Sequence, residues 1–284
     1  MELVSPNFSD IMEANIEIKK FPDGDSYVLI PEISKLQGEE VSLFHRLYPA
    51  QDTEIFAAIL LLDTLKRVGA RTTLVSPYLP YSRQDKTFKE GEALSAQILC
   101  SLLANAGAQK LVTIDCHFLK KEGEFEYSGL KIKNISANKL LVEHARKKLG
   151  EELEVISPDQ GANYLVEGFG GKSMKKERGE YKEGAEAYRA VEKVEMEFDV
   201  KGKNILIIDD MISTGGTMVR AVENVKKGGA KKVLCAATHG FFLKDSLEKL
   251  QKITDGVFTT NSIPNPVAEV DIMPLFKAVI REKP

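Results

Sequence analysis

A helix that ends in Gly-Ala and passes directly into a short apolar strand recurs three times in this chain. Leu65–Ala70 precedes Arg71–Pro77, Leu103–Ala108 precedes Gln109–Asp115, and Val225–Ala230 precedes Lys231–Ala236. The glycine supplies the left-handed conformation that closes a helix, and the apolar run after it reads as a strand. Repeated helix–glycine–strand units mean α/β architecture with a mainly parallel sheet. The 284 residues amount to about two domains at roughly 150 residues each. One series of units ends and another begins near Ala137. This gives an N-terminal α/β domain over 1–137 and a second over 138–266. Pro264-Asn265-Pro266 breaks regular structure and sets off 267–284, a segment with a short helix that can belong to either domain.

The helices are legible by their apolar periodicity. Asp52 reads as an N-cap, followed by Ile55, Ala58, Ile59, Leu62 and Leu65 on one face. Ala93, Ala96, Gln97, Leu99, Cys100 and Leu103 mark a second helix, and Asn138 to Leu149 a third. Strands are expected at 27–30, 73–76, 111–114, 155–157, 205–208, 233–236 and 256–259.

Composition narrows the class. Hydrophobic residues are 43% and charged residues 29%, which excludes a mostly disordered chain. The net charge of −3 carries no basic excess, so no nucleic-acid partner is expected. No apolar run approaches a membrane span, and MELVSPNFSD lacks the basic start and apolar core of a signal peptide. Cys100, Cys116 and Cys235 lie far apart, without CxxC pairing, and read as reduced thiols of a cytoplasmic protein.

The chemistry concentrates in Asn204-Ile205-Leu206-Ile207-Ile208-Asp209-Asp210-Met211-Ile212-Ser213-Thr214-Gly215-Gly216-Thr217. An apolar strand delivers two carboxylates, and a Ser/Thr/Gly run then leads into a helix from about Met218. In open α/β sheets, ligands bind beyond the carboxyl ends of the strands. Gly215 and Gly216 let backbone N–H groups turn towards an anion. The hydroxyls of Ser213, Thr214 and Thr217 add donors, and the helix N-terminus adds a positive dipole end. The spacing is not that of a GxxxxGK[ST] P-loop. A phosphate cradle behind two carboxylates suits a sugar phosphate. The blander alternative is an Asp-Ser/Thr-Gly turn with a helix cap.

This run resembles the phosphoribosyl-diphosphate motif of the type I phosphoribosyltransferase fold. Further segments make the chain similar to the ribose-phosphate pyrophosphokinase family, in order along nearly its whole length. These are Phe21-Pro22-Asp23-Gly24-Asp25, Pro77-Tyr78-Leu79-Pro80-Tyr81-Ser82-Arg83-Gln84-Asp85-Lys86, Asp115-Cys116-His117, Ser157-Pro158-Asp159-Gln160-Gly161 and Thr238-His239-Gly240. The resemblance implies two tandem phosphoribosyltransferase-type, Rossmann-like domains. It also implies diphosphoryl transfer from ATP to the C1 hydroxyl of ribose 5-phosphate, an early step of nucleotide biosynthesis.

By the same resemblance, Asp209, Asp210, Ser213, Thr214, Gly215, Gly216 and Thr217 hold ribose 5-phosphate. Arg83, Gln84, Asp85 and Lys86 serve ATP. Phe21, Asp23 and Asp25 cover the adenine of a neighbouring subunit, which implies a homo-oligomer with a shared ATP site. Phe21 alone would read as core. Mg²⁺ is implied, with His117 and Asp159 at the metal-contacting positions. Otherwise His117 reads as structural and Asp159 as a helix N-cap. Lys176 and Arg178 match the Lys-x-Arg of the catalytic loop, with Lys172 or Lys175 as alternatives for the lysine. The charged stretch 172–197 reads either as a solvated excursion or as a closing lid. Ser213 stands where the family often has Asp, and Ala162 where a second Gly is frequent, and both point to a divergent branch; the resemblance is to an archaeal-type member. Competing readings are a phosphoribosyltransferase and a non-catalytic regulatory homologue.

Overall fold

The structure, a computed structural model, describes residues 1–181 and 189–281. The chain divides into two units: Met1–Ser136 joined by the segment from Met273, and Ala137–Ile272.

The first unit contains β1 (Glu2–Val4), β2 (Glu17–Lys20), β3 (Ser26–Leu29), β4 (Glu40–Phe44), α1 (Gln51–Arg67), β5 (Arg71–Val75), α2 (Ser95–Ala106), β6 (Ala108–Ile114), β7 (Gly123–Tyr127) and β8 (Leu130–Ile135). Its main sheet has the order β1-β4-β5-β6-β8-β7, parallel except for the antiparallel edge pair β7–β8. Leu111 to Ile114 are all buried, as a central parallel strand covered on both faces requires. The strand expected at 27–30 is β3, and it pairs only with β2, in an antiparallel hairpin outside that sheet.

Helix α1 buries Ile55, Ala58, Leu61, Leu62 and Leu65. Asp52 and Glu54 in its first turn and Lys66 and Arg67 in its last complement the helix dipole. Asp52 is not its N-cap. Ala50, at φ 58°, takes that place without a side-chain bond. In each of the three helix–strand repeats a glycine has positive φ: Gly69 at 73°, Gly107 at 125° and Gly229 at 84°. Gly107 is doubly constrained, because a Cβ there would stand 2.9 Å from Lys66 Cβ where α2 ends against α1.

The second unit contains α3 (Asn138–Leu149), β9 (Leu153–Ser157), β10 (Lys172–Ser173), β11 (Lys175–Tyr181), β12 (Arg189–Glu195), β13 (Asn204–Ile212), α4 (Gly216–Lys227), β14 (Lys232–Gly240), α5 (Ser246–Ile253), β15 (Gly256–Thr260) and β16 (Ala268–Val270). Its sheet is parallel throughout, in the order β10-β9-β13-β14-β15-β16. Ile205 to Ile208 in central β13 are fully buried. Met218, Ala221, Val222 and Val225 form the buried stripe of α4. The charged stretch contains an antiparallel strand pair, β11 and β12, with register shifts after Glu177 and Arg178.

The segment from Val267 divides between the units. Strand β16 extends the second sheet, whereas α6 (Met273–Arg281) belongs to the first unit, where Phe276 meets Phe44 edge-on at 6.5 Å. Cys100, Cys116 and Cys235 are buried free thiols. Burial pushes the Cys100 thiol up to about 12, and raises that of Cys235 as well, so neither is a nucleophile at neutral pH.

Candidate active site

In the second unit, strand β13 carries Asp209 and Asp210 within its last four residues. Asp210 is buried and Asp209 half-buried, and the N–H of Asp210 donates to Asp209 Oδ1 at 2.9 Å. The chain leaves the strand through Ser213 and Thr214, turns at Gly215 and enters α4 at Gly216, earlier than the sequence pattern indicates. Gly215 lies in the left-handed region at φ 74°, and a Cβ there would stand 2.9 Å from Ser246 Cβ. Gly216 has open space around it. A strand end, a left-handed glycine and a helix N-terminus follow one another here, the local arrangement that suits an anion site.

Asp159 follows β9, the strand beside β13, and so lies at the same carboxyl edge. Its carboxylate accepts the Gly161 N–H at 2.8 Å and caps a 3-10 turn over Gln160–Leu165. On the other side of β13, Met211 and Ile212 pair with His239 and Gly240 of β14. His239 is buried, with Nδ1 2.9 Å from Ser262 Oγ. Lys176 and Arg178 lie in β11, and their side chains fall outside the described residues. Of the alternatives, Lys175 is paired with Glu197 at 2.7 Å, and Lys172 Nζ stands 5.5 Å from the centre of the Phe198 ring.

In the first unit, the segment from Pro77 to Lys86 leaves the carboxyl end of β5. Pro77 O accepts from Ile114 N at 3.1 Å and from Thr113 Oγ1 at 3.2 Å, which fastens the segment to β6. Tyr81, at φ 60°, opens a turn closed by Gln84 N on Tyr81 O at 2.9 Å. Its hydroxyl donates to the Asp52 carboxylate. Gln84 O in turn accepts from Ala96 N at 3.2 Å, at the start of α2. Arg83 and Lys86 are exposed, and Gln84 and Asp85 half-buried. His117 follows β6, the neighbouring strand, after buried Asp115 in a left-handed conformation at φ 42°. The next N–H, of Cys116, is fixed by Asn134 Oδ1 at 2.9 Å.

Phe21 to Asp25 form the tip of the β2–β3 hairpin. Phe21 N donates to Asp25 O at 2.8 Å, Gly24 turns at φ 98°, and Asp25 N donates to Asp23 Oδ1 at 3.2 Å. Phe21 is 50% exposed, with its ring edge-on to Tyr27, so it is not a core residue.

No group of three or more His, Cys, Asp or Glu among the described residues forms a metal cage. Mg²⁺ keeps several waters and uses one or two carboxylates together with substrate phosphates. Asp159 offers one half-buried carboxylate in the second unit and His117 one half-buried imidazole in the first, donors of the kind that a metal carried on substrate phosphates can use.

The fold and these loops define a tandem phosphoribosyltransferase-type protein. Residues 7–107 match the family model of the N-terminal domain of ribose phosphate pyrophosphokinase, and 132–274 match that of the phosphoribosyl transferase domain. The chain is 38% identical to the ribose-phosphate pyrophosphokinase of Pyrococcus furiosus, over 92% of this chain and 90% of the relative. It is 36% identical to that of Sulfurisphaera tokodaii, over 98% and 96%. The crystal structure of phosphoribosylpyrophosphate synthetase from Mycobacterium smegmatis superposes with a TM-score of 0.77 at 25% identity, over 99% of this chain and 97% of that one. The chain belongs to the ribose-phosphate pyrophosphokinase family.

Two features escaped sequence reasoning. The Tyr81–Asp52 bond joins positions 29 residues apart, and the Ser246 contact with the loop after β13 joins positions more than 30 apart. Neither carries a local motif that would have marked it.

Proposed function

We propose that this chain transfers the β,γ-diphosphoryl group of ATP to the C1 hydroxyl of ribose 5-phosphate, giving 5-phosphoribosyl 1-diphosphate and AMP. The observation that carries this reading is the presence, in one chain, of a nucleotide-type segment after β5 and a sugar-phosphate loop after β13. A phosphoribosyltransferase consumes the diphosphate and has no use for the first.

The C1 oxygen forms a bond to the β-phosphorus. The bond from that phosphorus to the oxygen bridging towards the α-phosphorus breaks, AMP leaves with that oxygen and its electrons, and the C1 hydroxyl proton is released. Little of this requires covalent chemistry from the protein, so positioning and charge neutralisation carry the rate.

The first turn of α4 and the hydroxyls of Ser213, Thr214 and Thr217 would hold the 5-phosphate, with Gly215 and Gly216 allowing close approach. Asp209 and Asp210 would accept hydrogen bonds from the vicinal ribose hydroxyls and so orient C1. Arg83 and Gln84 would hold ATP, with Asp85 and Lys86 beside them. Lys176 and Arg178 would neutralise charge at the transferring phosphoryl. Mg²⁺ would withdraw charge from the triphosphate oxygens that shield the β-phosphorus, with His117 and Asp159 holding it.

Phe21, Asp23 and Asp25 would cover the adenine bound to a neighbouring subunit. The exposure of Phe21 at a hairpin tip supports this, and exposed Phe56, Ile98 and Leu102 on α1 and α2 support a homo-oligomer. Three buried free thiols suit a reducing, cytoplasmic setting.

Product identification tests the reading. With Mg²⁺, ATP and ribose 5-phosphate, phosphorus NMR should show AMP formed one-for-one with a sugar diphosphate. ADP with a newly phosphorylated sugar would mean an ordinary kinase. No turnover, with or without inorganic phosphate, would favour a regulatory homologue.

A further inference from the structure

The turn that follows β14 is laced to the start of the phosphate loop. Phe241 N and Phe242 N reach Ile212 O at 2.9 and 3.2 Å. Leu243 N reaches Ser213 O at 3.0 Å, and Ser246 Oγ donates to the same carbonyl at 3.2 Å. Backbone donors from 241–243 and one side chain therefore converge on the two carbonyls from which the loop departs.

This turn is also strained. Phe242 and Lys244 have φ of 48° and 60°, a conformation that L side chains avoid. Such strain persists only where the surroundings over-determine the backbone. The Phe242 ring lies over Gly240, whose Cβ would meet Phe242 Cε2 at 2.6 Å, and this seats the turn on the end of β14.

Ser246 closes the arrangement. It is 1% exposed, it begins α5, and its Cβ occupies the space beside Gly215. The same side chain thus meets the loop twice, through its hydroxyl at Ser213 and through its bulk at Gly215. An anion held by backbone N–H groups is sensitive to displacements of a fraction of an ångström.

We infer that Ser246 is a positioning residue for ribose 5-phosphate, setting the phosphate loop through the Ser213 carbonyl and the Gly215 contact. This rests on the reading of that loop as the sugar-phosphate site. Ser246 is itself buried and acts through the loop. It fixes the backbone through which the loop enters α4.

The size limit follows from the same contact. Alanine keeps the space beside Gly215 and loses one of the two bonds to Ser213 O. Threonine keeps the hydroxyl and adds a methyl where Gly215 already stands close.

The test compares Ser246→Ala and Ser246→Thr with wild type, reading the KM for each substrate, kcat, the melting temperature and calorimetric binding of ribose 5-phosphate alone. Ser246→Ala should weaken ribose 5-phosphate about 5-fold, and Ser246→Thr about 10-fold or more. In both, the KM for ATP should stay within about 2-fold, since the ATP segment lies in the other unit, and the ribose 5-phosphate calorimetry should shift in parallel. A loss of melting temperature with unchanged ribose 5-phosphate KM would overturn the inference, as would equal changes in both KM values. Should Ser246→Thr fail to fold, Ser246→Ala decides alone. Wild type that binds ribose 5-phosphate but makes no 5-phosphoribosyl 1-diphosphate would sink the proposed activity and leave the calorimetric arm of this inference standing.

Discussion

Tyr81 donates its phenolic hydrogen to the Asp52 carboxylate, and so ties the segment carrying Arg83 and Gln84 to the first turn of α1. The backbone of Tyr81 is left-handed at φ 60°, so this bond holds a turn that the residue would not adopt by itself. The carboxylate raises the Tyr81 pKa, chiefly through this hydrogen bond, and the phenol stays protonated as a donor through the neutral range. Tyr81→Phe and Asp52→Ala should each raise the KM for ATP about 5-fold and leave ribose 5-phosphate unaffected. Because one interaction is removed in both, the double variant should be little worse than either single one. Additive losses in a double-mutant cycle would refute the link.

Asp210 is buried at the end of β13, beside the half-buried Asp209. Asp210→Asn keeps the volume and removes the charge that favours hydrogen bonds from ribose hydroxyls. It should weaken ribose 5-phosphate binding by about 10-fold. Calorimetry on the free enzyme measures this directly, and unchanged binding would remove Asp210 from the hydroxyl-binding role.

In the proposed reaction Lys176 would act on the transferring phosphoryl, a group whose charge distribution changes only as the reaction proceeds. Lys176→Ala should therefore lower kcat by about 100-fold or more while both KM values change little. Lys175 is already engaged by Glu197 and Lys172 stands over Phe198, so alanine at either should cost far less. If activity survives Lys176→Ala and is lost in Lys172→Ala or Lys175→Ala, the register of the loop is misassigned.

His45 gives the first unit a pH dependence unrelated to catalysis. It is fully buried, with Nδ1 2.9 Å from Ser5 Oγ and Nε2 2.9 Å from Glu54 O, and burial pushes its pKa down to about 4. The unfolded chain takes up a proton near pH 6.5 that the folded one excludes. Stability should thus be complete above about pH 6.5 and fall towards pH 4, by up to about 3 kcal/mol. The Glu54 carboxylate lies 3.5 Å from Nε2, and burial raises its pKa, so it works in the opposite sense at the acid end. Denaturant titrations at pH 7.5 and 5 should show this slope in wild type and a flatter one in His45→Asn. Equal slopes would exclude His45 as its source.

The legible parts of this chain were those written in contiguous residues. Ile205 to Thr217 contains strand, carboxylates, glycine turn and helix start in order, so the local backbone there is legible without any tertiary contact. Helix α3 spans Asn138–Leu149, the range that periodicity indicates, because a half-buried helix records its surroundings every three or four residues. Strands β1 and β4 went unrecognised, since each is short and gains its meaning from a parallel partner far along the chain. Asp52 does not cap α1; Asp before an apolar stripe has the same appearance whether it caps a helix or anchors a tyrosine.

Local chemistry therefore settled the α/β class, the strand–glycine–helix turn after β13 and the family, since backbone turns and helix starts depend on residues a few positions apart. The three-dimensional packing settled which strands pair, where α6 belongs, and which side chains brace the loops. Those relationships join Ser246 to Gly215 and Tyr81 to Asp52. They exist only once burial has offset the entropy of bringing distant segments together, so no window of sequence contains them.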